Sequence, residues 1–293
     1  MTELEKLVAD IEGKTSRQIS KEYNDALQAA MKKSREYFKR ANDVDKGKIK
    51  PPPGMKTQAQ IDGWKQAYKT RAAKQAAIVE NYASQMKSAG VNVRQKLKQS
   101  MTTIYEKSRK MTFDLLNKKN LATLPEMNRR QIESLLYGKG SSRAFSKIAF
   151  NRLGSGQNVA AKLRHEMAQS IAKGESQQQL LKRIMKITGA KEADAKRILR
   201  TESTQIQSMA QQAAAEEVSR QTGKKMLKRW CCIFVNSRDS HMDMDGQVVR
   251  LDEHFISPTG AALMYPGDNS APPEEVINCQ CYMEVFEDER NDY

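Results

Sequence analysis

The 293-residue chain is 29% charged and only 6% aromatic, proportions that suit helices with narrow apolar stripes better than one thick globular core. Its net charge of +15 is unevenly placed: residues 231–293 hold 3 basic residues (Arg238, Arg250, Arg290) against 13 acidic ones, a net of −10, which leaves 47 basic against 22 acidic, or +25, in residues 1–230. No apolar run approaches the ~20 residues of a membrane-spanning helix, and the opening MTELEKLVADIEGK lacks a basic-then-apolar signal pattern, so a membrane partner is excluded and an intracellular site of synthesis is expected.

In chain order, Leu4, Leu7, Val8 and Ile11 share one helical face, and the spacing predicts two helices meeting near Gly13. Pro51, Pro52 and Pro53 then supply no backbone donors and force their neighbours extended, which marks residues 51–57 as a stiff linker. A long helical pattern over about 58–86 has Trp64, Tyr68, Ile78 and Tyr82 in its packing stripe, a second runs over about 93–116, and Pro125 stands near the start of a third. GKGSSRAFSKIAFNRLGSG reads as a short helix between glycines; it lacks both the glycine spacing of a phosphate loop and a preceding strand.

Helix punctuation is clearest over residues 158–222. One helix over about 158–173 stops at Gly174, a second is capped by Ser176 and ends near Gly189, and a third runs from about Glu192 to about Gln221. His165, mid-helix beside Glu166, has a surface or packing role.

After Gly223 the texture becomes β-rich: strands are expected at 230–235, at QVVRL and at CQCYMEVF, with turn residues in MDMDG and in SPTGAALMYPGDNSAPPEE. The expected architecture is mainly α with a small α+β carboxy-terminal module, in which elongated helical hairpins are followed by a β-rich cap. The divisions fall at 1–50 (helical), 51–57 (linker), 58–154 (basic helical) and 155–293, with the acidic cap starting at about 230. A cap this short has little periodic core, so a crosslink, a metal or docking on the long helix would help it fold.

The cap concentrates the chemistry. All four cysteines, Cys231, Cys232, Cys279 and Cys281, lie there with His241 and His254. In a reducing compartment such clustering argues for a metal or free thiols before disulfides. A structural Zn2+ would draw on Cys279, Cys281 and His241, with Cys231, Cys232 or His254 as fourth ligand, although a Cys-x-Cys pair in a regular strand points its side chains to opposite faces.

Three other readings stand beside zinc. A catalytic metal on His241, Asp243, Asp245 and His254 would fit a metal-dependent nuclease or toxin-like enzyme, but no HExxH helix is present and a net −10 surrounding disfavours a nucleic-acid backbone. A calcium loop starting at Asp239 misses the twelve-residue ligand scheme. The plainest alternative makes Asp245-Gly246 a tight hairpin turn among hydrogen-bonded side chains, with the cysteines packed as thiols. No catalytic residue is assigned.

Taken in order, KGESQQQLLKRI, ADAKRILRTESTQIQSMAQQAAAEEVSRQTG, KRW, NSRDSHMDMDGQVV, HF and NCQCY resemble the phage head morphogenesis family, minor head proteins similar to the F protein of phage Mu and the minor head protein of phage SPP1. The resemblance covers roughly residues 155–286. It implies a minor capsid protein inside the virion head near the portal, made in the host cytoplasm, with the portal as partner and the major capsid or scaffold protein as further candidates.

The family pattern falls on Arg200, Thr201, Glu202, Trp230, Arg238, Asp239, His241, Asp245, Gly246, Phe255, Cys279 and Cys281, as assembly or structural positions. Met242, Met244 and Gln280 depart from it. On the long helix, Thr201 is placed to bond back to a helix carbonyl, and Arg200 to hold an acidic cap loop at Asp239 or Asp245. The basic helices suit either portal binding or non-specific contact with double-stranded DNA, and the latter defines a third functional reading as a plain DNA-binding protein.

Overall fold

The computed structural model describes residues 2–69, 71–138, 177–234 and 237–289, together with 162, 165, 166 and 169. The chain is mainly helical with a small antiparallel β module at its carboxy-terminal end, as the sequence pattern requires. Two compact units are present: Met1–Arg17, Gln95–Phe150 and Asp194–Tyr293 form one, and Gln18–Arg94 with Asn151–Ala193 the other. The predicted helix around GKGSS, the Ser176 cap and, apart from the helical residues 162, 165, 166 and 169, the helix over 158–173 lie outside the described residues. No described helix is long and apolar enough to cross a membrane.

Helix α1 (Glu3–Asp45) is continuous through Gly13, where two helices were expected. A glycine inside a helix costs about 1 kcal/mol relative to alanine but supplies no stop of its own. The buried series Leu4, Val8, Thr15, Ile19, Tyr23, Ala26, Leu27 and Ala30 keeps helical spacing on both sides of it. The Pro51–Pro53 segment has no regular structure, and Thr57 then opens α2 (Gln58–Lys69) by a reciprocal cap: Gln60 N–H donates to Thr57 Oγ1 (3.2 Å) and Thr57 N–H to Gln60 Oε1 (3.0 Å).

Helix α3 (Arg71–Leu116) joins what the sequence suggested were two elements. Ile78 and Tyr82 of the expected stripe are buried, Trp64 is half-buried, and the Tyr68 side chain is outside the described set. Helix α4 (Arg129–Tyr137) follows Pro125 and begins with a capping box between Asn128 and Gln131.

Helix α5 (Gln177–Thr222) runs through Gly189, where a break was expected. Ile184, Thr188, Ala195 and Leu199 form one buried stripe across the glycine, so packing outweighs its weak helix propensity. The helix stops at Gly223, whose φ of 71° is left-handed and whose N–H bonds to Ser219 O.

In the second unit, α1, α3 and α5 bury Ile19, Tyr23, Tyr82, Met86 and Ile184. Polar ties accompany them: Ser20 Oγ donates to Glu192 Oε1 (2.7 Å), and Asn92 Nδ2 to Glu22 Oε2 (3.0 Å).

In the first unit, β1 (Met226–Cys231) lies between β2 (Val248–Arg250) and β5 (Tyr282–Glu287), both antiparallel to it. A one-turn helix α6 (Asp239–Met242) follows β1, a ribbon of β3 (Phe255–Ile256) and β4 (Ala262–Leu263) follows β2, and α7 (Pro273–Val276) precedes β5. The first strand starts and ends about four residues earlier than the sequence suggested. Gly223 turns the chain back at once, and Phe234 at φ 63° cannot continue a ladder. Ala214, Ala215 and Val218 of α5, with Phe113 of α3, pack on Met226, Leu251, Met283 and Val285.

Lys228 shares the inward face of β1 with Met226 and Trp230 and is 0% exposed. Its Nζ donates to Met264 O at 2.7 Å and lies 5.4 Å from the centre of the Phe255 ring. Burial lowers its pKa from 10.5 to about 8, against the opposing pull of Glu216 and Asp252. The folded chain therefore holds this proton less tightly than the unfolded chain, and the penalty at neutral pH is relieved as pH rises from 8 towards 10.5. We expect this lysine to add about 3 kcal/mol of stability across that window, and Lys228→Met to abolish the gain. Urea unfolding of both proteins at about pH 7 and about pH 10 checks it.

Candidate functional site

The residues that the sequence singled out converge on one end of the β module, under the middle of α5. Over residues 201–212 that helix buries Thr201, Glu202, Ser203, Thr204, Gln205, Gln207, Ser208, Gln211 and Gln212, an unusually polar set for a core face. Several of these side chains replace missing backbone partners. Asn278 N–H donates to Thr201 Oγ1 (2.9 Å), Thr204 Oγ1 donates to Cys279 O (2.8 Å), Gln211 Nε2 to Met283 O (3.0 Å) and Gln212 Nε2 to Leu251 O (2.8 Å). Thr201 also donates to Arg197 O, the back-bond expected of it.

Arg200 points to Asn278 Oδ1 (3.5 Å) and, with the Gln280 amide oxygen turned towards it, to that oxygen (3.1 Å). The expected partners, Asp239 and Asp245, are not the ones it meets. Arg200 sits one turn before Thr204, which is already tied to Cys279, so residues 278–280 are its neighbours. Glu12 of α1 is near it as well. Burial raises the Glu12 carboxyl pKa, while Ser203 and Arg200 pull the other way.

Gly267, at φ 80°, presses against α5; an added Cβ would stand 3.0 Å from Gln205 N, so this position tolerates only glycine.

His241 is at the centre, on α6 and 1% exposed. Its Nε2 lies 2.8 Å from Glu275 Oε2, and its Nδ1 lies 3.5 Å from both Cys279 Sγ and Cys281 Sγ. The ring stands edge-on to Trp230 (5.2 Å, 81°), which is edge-on in turn to Phe255 (5.3 Å, 75°). Trp230 and Phe255 are both fully buried and close the site on that side.

Glu275 receives further hydrogen bonds from Thr259 Oγ1 (2.7 Å), Ser257 Oγ (3.3 Å) and Ser240 Oγ (3.3 Å). Burial alone would raise its pKa, but these donors and His241 outweigh it and hold the carboxyl below its ordinary 4.5. An ionised carboxylate only accepts, so His241 Nε2 donates to Glu275, and Nδ1 is the ring nitrogen that faces the sulfurs.

Arg238, the residue before α6, donates to Ile277 O at 2.7 Å and stands 3.5 Å from His241 Nε2. Cys232 N–H donates to Asp245 Oδ1 (2.7 Å), and its sulfur accepts from Phe234 N–H (3.4 Å) and lies beside Cys281. Gly246, at φ 79°, closes the β1–β2 connection with its N–H on Trp230 O.

The remaining candidates stand elsewhere. His254, Asp239 and Asp243 are exposed, and Cys231 sits near Glu284 with its thiol pushed up to about 12 by burial. Among the described residues, His241, Cys279 and Cys281 are the group whose ligand atoms converge, within 4.8 Å of one another; Cys231, Cys232, Asp243, Asp245 and His254 do not join it.

Sequence reasoning missed Glu275, Thr204 and Asn278. PPEEV reads as acids at a helix start, and nothing local says that its second glutamate is buried. A run of Thr, Ser and Gln with no compensating charge on α5 was the available signal for Thr204.

Residues 161–284 match the sequence model of the family described as Phage Mu protein F like protein, a span that encloses every one of these side chains. The chain is 28% identical over 116 residues to the minor head protein GP7 of Bacillus phage SPP1, covering 39% of this chain and 37% of that protein. It is 27% identical over 179 residues to the NAD(+)–arginine ADP-ribosyltransferase EFV of Enterococcus faecalis, covering 58% of this chain and 34% of that one. The chain thus spans about a third of the length of the curated relatives it matches. No solved structure matches it. The family model and the SPP1 relative support the phage head morphogenesis family for this segment.

Thr204→Val keeps the shape of the side chain and removes the donor to Cys279 O. We expect a loss of about 1–3 kcal/mol, as for a buried carbonyl left unpaired. Thr103→Val, on a hydroxyl that only bonds back to Gln99 O, should change stability by no more than about 0.5 kcal/mol. Paired urea melts distinguish the two.

Proposed function

We propose that this chain is a minor head protein that takes part in assembling the head of a tailed phage, seated in the virion at the portal. The observation that carries the reading is the coincidence of the family span, residues 161–284, with a module whose polar helix face is tied by side-chain hydrogen bonds to the backbone around Asn278–Met283. The His241 cluster is too deeply buried to receive a substrate, which favours a structural module over the enzyme and toxin readings. The transferase named among the relatives shares only 34% of its length with this chain.

The basic helices supply the partner surface. Lys107, Lys110, Lys118, Lys119, Arg129 and Arg130 are all exposed on or beside α3 and α4. Such a surface suits acidic patches on the portal, the main proposed partner, or on the major capsid or scaffold protein. It also suits packaged double-stranded DNA, where each phosphate neutralised makes binding more salt-sensitive.

Co-expression with the portal protein of the same phage should yield a complex that stays together through size exclusion at low salt. Free DNA of unrelated sequences should bind equally, with affinity falling by a factor of about 100 or more between roughly 50 and 200 mM salt. A chain that binds neither, or one that cleaves DNA with a divalent metal and loses that activity on His241→Ala, would overturn the proposal.

A further inference from the structure

We propose that the buried cluster is a structural zinc site in which His241 Nδ1, Cys279 Sγ and Cys281 Sγ bind one ion and Cys232 Sγ completes the tetrahedron. This does not rest on the head-assembly reading.

The spacing of the donors is the first argument. Zinc bound at about 2.0–2.1 Å to nitrogen and about 2.3 Å to sulfur, in tetrahedral geometry, places those two ligand atoms about 3.5 Å apart. Both Nδ1–sulfur distances are 3.5 Å. The second is the ring's orientation: Glu275 accepts on the Nε2 side, which leaves Nδ1 as the ring nitrogen directed at the sulfurs. A carboxylate behind a metal-bound histidine is the usual orienting partner, and this one is itself held by Thr259, Ser257 and Ser240.

The objection to Cys-x-Cys is removed by the backbone. Asn278 has φ 62° and β5 begins only at Tyr282, so Cys279 and Cys281 lie outside the ladder and need not alternate. Thr204 and Thr201 hold that turn from α5. Cys232 stands outside the converging trio, and we assign it the fourth position as the thiol that interacts with Cys281, with its backbone fixed by Asp245 and the Phe234 N–H on its sulfur.

Charge and access agree. Three thiolates and Zn2+ carry a net charge of −1, and the Arg238 guanidinium is the adjacent cation, 3.5 Å from the histidine ring. His241, Cys279 and Cys281 are 1%, 3% and 2% exposed, which suits a closed structural site and denies a thiol nucleophile its substrate.

The test uses the full chain expressed with added zinc. Elemental analysis and native mass should find about one zinc per chain, and Co2+ exchanged into the wild-type protein should show thiolate charge transfer and the intense visible bands of a four-coordinate ion. Cys232→Ser, Cys279→Ser and Cys281→Ser should each lose the metal, Cys231→Ser should keep it, and Glu275→Gln should weaken zinc binding by about 10- to 100-fold. Wild-type protein that holds no zinc and gives no thiolate band with Co2+ overturns the site, without recourse to any variant. So does a Cys279–Cys281 disulfide, seen as a mass lower by two hydrogens. Loss of zinc in Cys231→Ser with retention in Cys232→Ser overturns the ligand assignment.

Discussion

The carboxy-terminal module depends on a set of hydrogen bonds from the side chains of α5 to the backbone of the segment around Asn278–Met283. That segment leaves regular structure at Ile277 and rejoins it at Tyr282, and its backbone groups would otherwise be buried without partners. Thr201, Thr204 and Gln211 supply them. Because those bonds fix the Asn278 turn, they also decide which way the two cysteines face and where β5 enters the sheet. A polar helix face is a costly choice for a core, justified when each group has a definite partner.

The same reasoning explains the composition of the site. His241 and Glu275 are both removed from water, which would penalise the charged carboxylate heavily were it not met by three hydroxyls and an imidazole. Trp230 and Phe255 surround the ring with apolar edges, so the electrostatic contacts act in a medium of low polarity. In the proposed site, zinc would act as a staple for a module of short strands, since the free energy of binding a metal in a site that forms only on folding is also folding free energy. Lys228 is the contrasting case nearby, a buried cation whose direct contacts are a carbonyl, a sulfur and a ring, with Glu216 and Asp252 acting on it from farther off.

Charge divides the chain by task. The module is acidic, while the helical remainder carries the cationic excess on exposed residues. In the proposed role, the first is a rigid fitting and the second is the surface that meets portal or genome. Within the module, His241, Glu275, Cys279 and Cys281 are turned inward, while His254, Asp239 and Asp243 face outward.

By itself the sequence determined the helical class, the change to strands after Gly223, and the gathering of the cysteines and His241 in one acidic module, because periodicity, turn residues and composition are local properties. The resemblance carried by RTE, the histidine loop and NCQCY was legible for the same reason. Helix continuity through Gly13 and Gly189 was not, since a glycine's small penalty is outweighed by packing that sequence does not display. Nor was the choice of Glu275 over its neighbouring acid, or of Asn278 and Gln280 as partners of Arg200. Each is a matter of which side chain the folded backbone turns inward, and that direction is set by contacts between residues far apart in the chain, as Arg200 and Asn278 are.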